Sequence, residues 1–379
     1  MQRIRLLLLL HTLSPSGAPK VILDAIEELQ NDLDIFCVAL GGGAYSERCR
    51  RFGKLSIVAK SSKGASFVRL SKSKIYNAAL GHSIRKWKPD IIYINSVAAL
   101  PIAKYVRFPI APILLHVHEL DSYLSAQMRS NPDLLCHWPD RYIVVSEAAR
   151  EALARICEIT GDRVVVIHSF VKEQEFINCP CPVNANEEGT IVVGGAGAVC
   201  WHKGTTLWLQ MAAELHRIMG DHPIRFVWVG ITDCEAGLQF RAEARKLGID
   251  SIIEFVPLTE EPLKEFARFD IFATTSWEES FSLVVLENMM LRKPVVCFAG
   301  SGGPREVVGD AGIVIDSFSP LAMAEAIEQL ARSPELRKAL GTAARERALK
   351  HFTASVQAPK ILCEIKKLVQ IPKNGDRRK

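Results

Sequence analysis

Two glutamates in the last third of the chain, Glu279 and Glu287, have residue types and a spacing that could hold a polyhydroxylated ligand. A buried-strand pattern at residues 270–274 precedes them, and the apolar period through Met290 predicts a helix. Glu279 is therefore expected on the strand-to-helix loop and Glu287 about two turns into the helix. Free amides at a helix start favour an anion, while carboxylates accept hydrogen bonds from sugar hydroxyls. The segment thus predicts a site for a sugar joined to a phosphate-bearing group.

This segment resembles the Glu-x7-Glu signature of glycosyltransferase family 4, whose members are retaining enzymes of the GT-B fold. The resemblance implies that Glu287 holds the ribose hydroxyls of a nucleotide and that Glu279 holds hydroxyls of the donor sugar. It also implies that backbone amides at the helix start help to bind the diphosphate. The residues concerned are Ser280, Phe281, Ser282 and Leu283. The alternative interpretation is a solvated helix with ordinary surface glutamates.

Residues 194–204 run from a predicted strand to a predicted helix and resemble the Gly-Arg…Lys-Gly donor loop of the family. In that loop an Arg and a Lys hold the diphosphate. Lys203 and Gly197 match the pattern, whereas Ala198 stands at the position of the Arg. His202 could supply the missing hydrogen-bond donor, or diphosphate binding is weaker. A dinucleotide fingerprint is the other interpretation, but its spacing is poor and no acidic residue ends a following strand.

Two further glycine loops follow predicted strands. Residues 11–19 resemble the first glycine loop of the family, which lies over the junction of donor and acceptor, and Gly17 would let the backbone approach a ligand. Residues 299–306 resemble the Gly-Gly-x-x-Glu loop of the family. Gly303 is the candidate binding residue there, and Arg305 is a second candidate for the missing cation.

The predicted strand at residues 113–118 ends in two histidines that lie two positions apart and therefore share one face. The family has a His at this strand end, facing the donor sugar. His118, which an acidic residue follows, is the better match, and His116 is the alternative. By this resemblance His118 contacts the sugar near the reacting carbon, and Lys203 stabilises charge on the leaving diphosphate. His118, Lys203 and Glu279 are therefore the catalytic candidates, although a core or surface histidine remains the other interpretation of His118.

Short apolar runs alternate with helical periods along the chain, which favours parallel sheets with helices on both faces. Strands are predicted at residues 3–10, 35–40, 55–59, 91–95, 113–118, 142–146, 164–167, 190–195, 224–229, 252–256, 271–274, 295–298 and 312–315. A segment rich in Pro, Asn and charge at residues 172–189 reads as a linker between the two series.

The pattern and the resemblance together predict an α/β protein of the GT-B class, with two Rossmann-like, doubly wound parallel-sheet domains and an inter-domain cleft. Residues 1–175 would form the N-terminal, acceptor-side domain, and residues 176–352 the C-terminal, nucleotide-sugar-binding domain. Residues 353–379 are expected to form a helix that crosses back to the first domain, followed by a polar tail.

The composition fits a soluble globular protein of ordinary domain size, with 379 residues, of which 48% are apolar and 23% charged. The leucine-rich run at residues 4–10 is too short to span a bilayer and is predicted as a buried first strand. The ten cysteines follow no disulfide framework, which fits a reducing cytoplasm. We expect a cytoplasmic protein, with peripheral attachment to the inner face of the cytoplasmic membrane as an option.

The net charge of +5 is unevenly distributed, because residues 48–88 contain twelve Lys and Arg but no Asp or Glu. Aromatic and aliphatic side chains are interleaved with these charges. Such a surface suits anionic lipid headgroups or an anionic acceptor, and a solvated basic face is the alternative. No nucleic-acid-binding module is recognised, so nucleic acid is not an expected partner.

We expect a retaining, metal-independent glycosyltransferase of the hexosyltransferase type. It would move a sugar from a nucleotide-diphosphate donor to a glycan or lipid-linked acceptor, in cell-surface polysaccharide or lipid-linked glycan synthesis. No cofactor is expected, because Lys203 and the helix start would replace a metal cation, and Asp32 and Asp34 are taken as a solvated loop. The alternatives are a GT-B phosphorylase, a nucleotide-sugar epimerase, or a catalytically silent GT-B-like binding protein, which Ala198 favours.

Overall fold

The computed structural model describes residues 3–58, 74–106, 111–177 and 189–370, without the side chains of 74–77 and 104–106. These residues form thirteen strands: β1 (Ile4–Leu10), β2 (Leu33–Ala39), β3 (Gly53–Ile57), β4 (Ile91–Asn95), β5 (Ile113–Val117), β6 (Arg141–Val144), β7 (Val164–Val166), β8 (Ile191–Ala196), β9 (Ile224–Ile231), β10 (Ile253–Pro257), β11 (Ile271–Thr274), β12 (Val295–Phe298) and β13 (Ile313–Ile315). Each predicted strand has a counterpart whose ends lie within two residues of the predicted ones.

The helices between them are α1 (Gly17–Glu28), α2 (Ser46–Phe52), α3 (Lys74–Trp87), α4 (Leu100–Val106), α5 (Asp121–Ser130), α6 (Pro132–Cys136), α7 (Glu147–Cys157), α8 (Gln174–Ile177), α9 (Thr205–Met219), α10 (Glu235–Lys246), α11 (Pro262–Ala267), α12 (Leu283–Met290), α13 (Gly303–Val308), α14 (Pro320–Arg332), α15 (Pro334–His351) and α16 (Ala354–Gln370). None of these described helices is long and apolar enough to cross a membrane.

The chain divides into two compact units, Met1–Ser169 with Ala354–Lys379, and Phe170–Thr353. The sequence placed the first boundary later, at residue 175. In the structure Val171 already pairs with Thr353 through an isolated bridge, so the chain has joined the second unit by that point. The second boundary falls one residue after the expected residue 352, at Thr353.

The first unit is built on a seven-stranded sheet in the order β3-β2-β1-β4-β5-β6-β7, with every pair parallel. A parallel sheet with helices on both faces needs apolar side chains on both faces. The leucines of β1 meet that need, since Leu6 to Leu10 are at most 1% exposed. The leucine-rich run is therefore a buried central strand, as the sequence predicts.

The second unit has a six-stranded parallel sheet in the order β10-β9-β8-β11-β12-β13. Its core centres on Trp208 of α9, which is fully buried and contacts Trp228 and Phe226 edge to face. The strand order changes direction between β8 and β11, as it does between β1 and β4 in the first unit. In open parallel sheets, ligands bind beyond the carboxyl ends of the strands at such points.

The helix α16 belongs to the first unit, where it packs beside α1. Glu364 of this helix is 4% exposed, and its Oε2 lies 2.8 Å from Nε of Arg141 as an ion pair without hydrogen-bond alignment. Lys366 forms a more exposed pair with Asp32, at 3.0 Å. Asp32, taken from the sequence as part of a solvated loop, thus takes part in holding α16.

We predict that Glu364→Ala lowers the free energy of unfolding by about 3 kcal/mol, because it leaves the guanidinium of Arg141 without its buried partner. Lys366→Ala is the matched control on the same helix, and it should cost less than about 1 kcal/mol, because that pair is solvated. Denaturant unfolding of both variants measures the difference. Equal losses would show that the Arg141 pair does not fasten α16.

Candidate active site

Lys203 and Glu279 form a direct ion pair in the second unit, although they are far apart in the chain. Their side chains are 24% and 14% exposed, so the pair is partly shielded from water. Ser276 lies 3.5 Å from the same carboxylate oxygen. The side chain of Lys203 passes so close to Gly197 that a Cβ there would stand 3.1 Å from Cε of the lysine. The structure thus brings together the residues predicted to hold the diphosphate and the donor sugar.

Two loops place this pair beyond the carboxyl ends of β8 and β11, at the point where the strand order reverses. Gly204 ends the first loop with φ +58°, and a Cβ there would lie 1.9 Å from the carbonyl oxygen of Thr275 in the second. The hydroxyl of Thr275 donates to the Gly204 carbonyl at 2.9 Å, and the amide of Trp277 donates to the His202 carbonyl at 2.8 Å. The backbones of the two loops therefore fix the positions of the ion pair.

The loop that carries Glu279 is also tied to the loop after β12. The amide of Glu279 donates to the carbonyl of Ser301, and the amide of Gly303 donates to the carbonyl of Glu279, both at 2.8 Å. Of the next residues, Ser280 is partly buried, while Phe281 is 2% exposed and contacts Phe352 edge to face at 5.5 Å. Gly303 thus joins the two loops through its backbone amide.

The helix α12 begins later than the sequence suggests. Ser282 is its N-cap, with φ +74°, and its hydroxyl accepts from the amide of Val285 at 3.5 Å. Since Leu283 is the first helical residue, Glu287 lies about one turn into the helix and not two. Glu287 is 9% exposed. A carboxylate this buried close to a helix start is chemically able to accept hydrogen bonds from ligand hydroxyls.

The position where the family has an Arg is open, because Ala198 is exposed. His202 is also exposed, and its ring lies 5.2 Å from that of Trp201. Arg305 is exposed on α13, and within the part of the chain that the structure describes no hydrogen bond or ion pair joins its side chain to Lys203 or Glu279. The structure therefore does not bring Arg305 into the cluster.

In the first unit, polar side chains gather at the carboxyl ends of β4 and β5. The rings of His116 and His118 lie 4.0 Å apart, and Nδ1 of His116 lies 2.7 Å from the hydroxyl of Tyr93. Nε2 of His118 lies 3.1 Å from Oδ1 of Asn95, whose Nδ2 donates to the carbonyl of Ala18 at 3.0 Å. Ala18 is the neighbour of Gly17, the first residue of α1. The glycine loop and His118 are thus joined through one amide side chain.

The histidines in this cluster are neutral near pH 7. Burial lowers the pKa of His116 to about 3, and it lowers the pKa of His118 well below its usual value, helped by His116 and His11. Burial also lowers the pKa of His11. These rings can donate or accept hydrogen bonds, but they carry no positive charge toward a phosphate.

Glu119 fastens the turns that follow β4 and β5. One carboxylate oxygen accepts from the hydroxyl of Ser96, and the other accepts from the amides of His118 at 2.7 Å and Val97 at 3.4 Å. Burial raises the pKa of Glu119 to about 7, although these hydrogen bonds lower it in part. Ser96 is held with φ +82°, which is uncommon outside glycine.

Sequence reasoning missed several of these residues. Asn95 and Ser96 were not singled out, and Glu119 served only to choose between the histidines. The available signal was their position, because a polar residue that directly follows a buried parallel strand lies at the edge where ligands bind. Among the described residues, no group of three or more His, Cys, Asp or Glu is placed to hold a metal ion.

Two parallel α/β units with their polar clusters at these strand ends define the GT-B class, and solved GT-B structures superpose on the chain. HepE of Anabaena, in complex with UDP and glucose, has a TM-score of 0.81 over 97% of this chain and 100% of that chain, at 18% identity. WaaG, a glycosyltransferase involved in lipopolysaccharide biosynthesis, has a TM-score of 0.73 over 98% of this chain and 100% of that chain, at 15% identity. The GT-B fold predicted from the sequence is confirmed.

The family follows from the sequence matches. The family model described as Glycosyltransferase Family 4 matches residues 15–175, and the one described as Glycosyl transferases group 1 matches residues 182–347. The two matches together cover most of the chain, which belongs to glycosyltransferase family 4. The predicted family is therefore confirmed.

Named relatives support the same class. The D-inositol 3-phosphate glycosyltransferase of Corynebacterium diphtheriae is 31% identical over 177 residues, covering 45% of this chain and 41% of that protein. The alpha-D-kanosaminyltransferase of Streptomyces kanamyceticus is 23% identical over 256 residues, covering 60% and 63%. The chain thus spans about half the length of the curated relatives it matches.

We predict that Glu119→Gln changes how stability depends on pH. In the wild type, the contribution of Glu119 to the free energy of unfolding is complete below pH 4.5 and is lost as pH rises to about 7, because the folded state holds the proton more tightly. The variant lacks this loss of stability, and its amide oxygen can still accept a hydrogen bond from the amide of His118. Its stability relative to the wild type should therefore rise across that window by on the order of 3 kcal/mol.

Denaturant unfolding at several pH values tests this prediction. The neutral histidines contribute equally to both proteins and cancel in the difference. Glu151→Gln, at an exposed position of α7, is the control for removing a surface carboxylate. A constant difference between wild type and Glu119→Gln at every pH would contradict the raised pKa.

Proposed function

We propose that the protein is a retaining glycosyltransferase of the hexosyltransferase type, which moves a sugar from a nucleotide-diphosphate donor to an acceptor hydroxyl. The observation that carries the proposal is the Lys203–Glu279 pair beside the start of α12, with the buried Glu287 one turn into that helix. This arrangement combines a cation, free helix amides and two carboxylates. These groups suit a diphosphate flanked by two polyols.

The roles follow from the number of hydrogen bonds that each group can make. The ammonium of Lys203 has three donors, so it can hold Glu279 and still donate to a phosphate oxygen. The carboxylate of Glu279 has two oxygens, of which one is bound to Lys203 and the other can accept from a sugar hydroxyl. Glu287 would accept from the ribose. Charge that develops on the leaving diphosphate would be stabilised by Lys203 and the helix amides.

The finer substrate assignment is also a proposal. Neighbouring structures contain UDP and UDP-glucose, so uridine diphosphate sugars are the first donors to test. A glycan or lipid-linked acceptor on the cytoplasmic side of the membrane is proposed because WaaG, one of the structural neighbours, is a glycosyltransferase of lipopolysaccharide biosynthesis. The competing function is a catalytically silent binding protein, which the exposed Ala198 favours. A phosphorylase or an epimerase remains an alternative enzyme.

Thermal shift and titration with nucleotide diphosphates and their sugars test the donor site. A true donor at 100 times its dissociation constant should stabilise the protein by about 2.7 kcal/mol. Glu287→Ala should weaken binding of the bare nucleotide by about 1.5–3 kcal/mol, the range for hydrogen bonds to a charged group. Glu279→Ala should weaken binding of the nucleotide sugar but leave binding of the bare nucleotide unchanged, because Lys203 is then free to bind the phosphate.

The controls for this experiment separate the site from the surface. Glu325→Ala, at an exposed position of α14, should change neither affinity. Equal losses of affinity for the nucleotide and the nucleotide sugar in Glu279→Ala would show that Glu279 does not contact the sugar. Nucleotide release that requires an acceptor, with the anomeric configuration retained in the product, supports transfer, whereas the absence of turnover with every donor would favour the silent binding protein.

We further propose that activity does not require a divalent metal, because Lys203 and the start of α12 would supply positive charge to a bound diphosphate. We expect a chelator to leave the rate with the true donor unchanged. A rate that vanishes with chelator and returns with Mn²⁺ or Mg²⁺ would overturn this expectation.

A peripheral membrane role is proposed for the basic stretch at residues 48–88, much of which, at residues 59–73, lies outside the described residues. Fewer cations of this stretch are available to bind lipid, because Arg48 is paired with Asp24 at 2.6 Å and with Glu27 at 2.7 Å. Arg50 lies 3.4 Å from Glu47 in an exposed pair. The membrane proposal therefore rests on the remaining Lys and Arg residues.

Vesicle flotation tests this role. Binding should occur on anionic but not on neutral vesicles, fall with salt, and weaken by about 1 kcal/mol per reversed cation, while nucleotide affinity is unchanged. The test variant reverses Lys60, Lys63, Lys72 and Lys74 to Glu. The control reverses four exposed lysines of the second unit, Lys246, Lys264, Lys338 and Lys350. Equal, salt-insensitive behaviour of both variants and the wild type would reject the role.

A further inference from the structure

Asn95 occupies the end of β4 and is completely buried, with a hydrogen-bond partner on each side of its amide. On one side Nδ2 donates to the carbonyl oxygen of Ala18 at 3.0 Å. On the other side Oδ1 lies 3.1 Å from Nε2 of His118. Sequence reasoning gave this residue no role, and the proposed chemistry has not used it.

The chemistry of the partners fixes the orientation of this amide. A backbone carbonyl only accepts hydrogen bonds, so the NH₂ group of Asn95 must face Ala18. The amide oxygen then faces His118, and an oxygen can only accept. Nε2 of His118 must therefore carry a proton and donate it to Asn95.

Because a neutral imidazole has one N–H and one lone pair, a proton on Nε2 leaves the lone pair on Nδ1. His118 is neutral because it is buried against His116, whose ring lies 4.0 Å away, and burial lowers its pKa well below the usual value. Its Nδ1 atom makes no hydrogen bond with any residue in the described ranges and is not among the fully buried polar atoms without a partner. This atom is available to accept a hydrogen bond.

We infer that Asn95 is a positioning residue that keeps His118 protonated at Nε2, so that Nδ1 of His118 accepts a hydrogen bond from a sugar hydroxyl of the substrate. This inference rests on the proposed glycosyl transfer. The same amide also anchors the first turn of α1 beside Gly17, which ties the glycine loop to the histidine. The ligand group selected in this way is a hydroxyl, since a neutral acceptor nitrogen does not attract a phosphate oxygen.

Nitrogen NMR of the full-length protein with ¹⁵N-labelled histidine tests the tautomer directly. The wild type should show His118 as a neutral ring with the proton on Nε2 and Nδ1 unprotonated. Asn95→Ala should give a mixture of tautomers, whereas Asn95→Asp should keep the proton on Nε2, because a carboxylate oxygen still accepts from it. Tyr93→Phe, which removes the hydroxyl bound to His116, is the control and should leave the protonation of His118 unchanged.

Ligand titration tests the consequence for binding. The measured quantity is the ratio of the dissociation constants of the bare nucleotide diphosphate and its sugar, with UDP and UDP-glucose as the first pair. Asn95→Ala should reduce this ratio by about fivefold, the effect of one hydrogen bond. The same change in a His118→Ala background should have no further effect, because Asn95 acts through the histidine.

Different outcomes would overturn the inference about Asn95 and the proposed function. A wild-type His118 protonated at Nδ1, or an Asn95→Ala variant that folds and keeps both the Nε2 proton and the wild-type ratio, would overturn the inference. Additive losses in the double variant would also overturn it, because Asn95 would then act independently of His118. Absence of nucleotide-sugar binding to the wild type would reject the proposed function and the acceptor role together. Should Asn95→Ala fail to fold, the tautomers of His118 in the wild type and in Asn95→Asp still decide the inference.

Discussion

The burial of both faces of the two parallel sheets is the constraint on which the candidate sites depend. Along strands such as β1 and β4 most side chains are apolar and pack against helices. Polar residues therefore collect just beyond the carboxyl ends, where β4 ends in Asn95 and β11 leads into Ser276 and Glu279. The change of direction in each strand order opens a space between neighbouring loops at that edge. The fold thus determines the position of the reactive groups, whichever residue types occupy it.

The two units use this edge with different electrostatics. In the second unit a partly shielded Lys203–Glu279 pair offers charge and several free hydrogen-bonding positions, which suits a ligand with both phosphate and hydroxyl groups. In the first unit burial keeps His116 and His118 neutral, so these two rings provide directed hydrogen bonds without charge. The pKa of Glu119 is about 7, because burial raises it and the hydrogen bonds to the carboxylate lower it in part.

Much of the fold and part of the site could be read from the sequence. Apolar runs bounded by polar residues located all thirteen strands, and β4, β11 and β12 have the predicted bounds. The pairing of Lys203 with Glu279 was not predictable, because it depends on backbone hydrogen bonds between loops that are distant in the chain. The late start of α12 depends on Ser282 in a positive-φ conformation, which residue types do not reveal. The link from Asn95 to Ala18 joins the end of β4 to the first turn of α1 and carries no local signal in the sequence.

The return of α16 to the first unit has a consequence for how the chain is made. A ribosome that has released the residues up to Thr353 has supplied the whole second unit, but not the helix that fastens the first. The partly buried ion pair between Arg141 and Glu364 forms only after α16 has been synthesised. Domains generally fold in the order of synthesis, from the N-terminus onward. In this protein the first unit is begun first but completed after the second. Its sheet is therefore synthesised without α16, at a stage when all residues of the second unit are present.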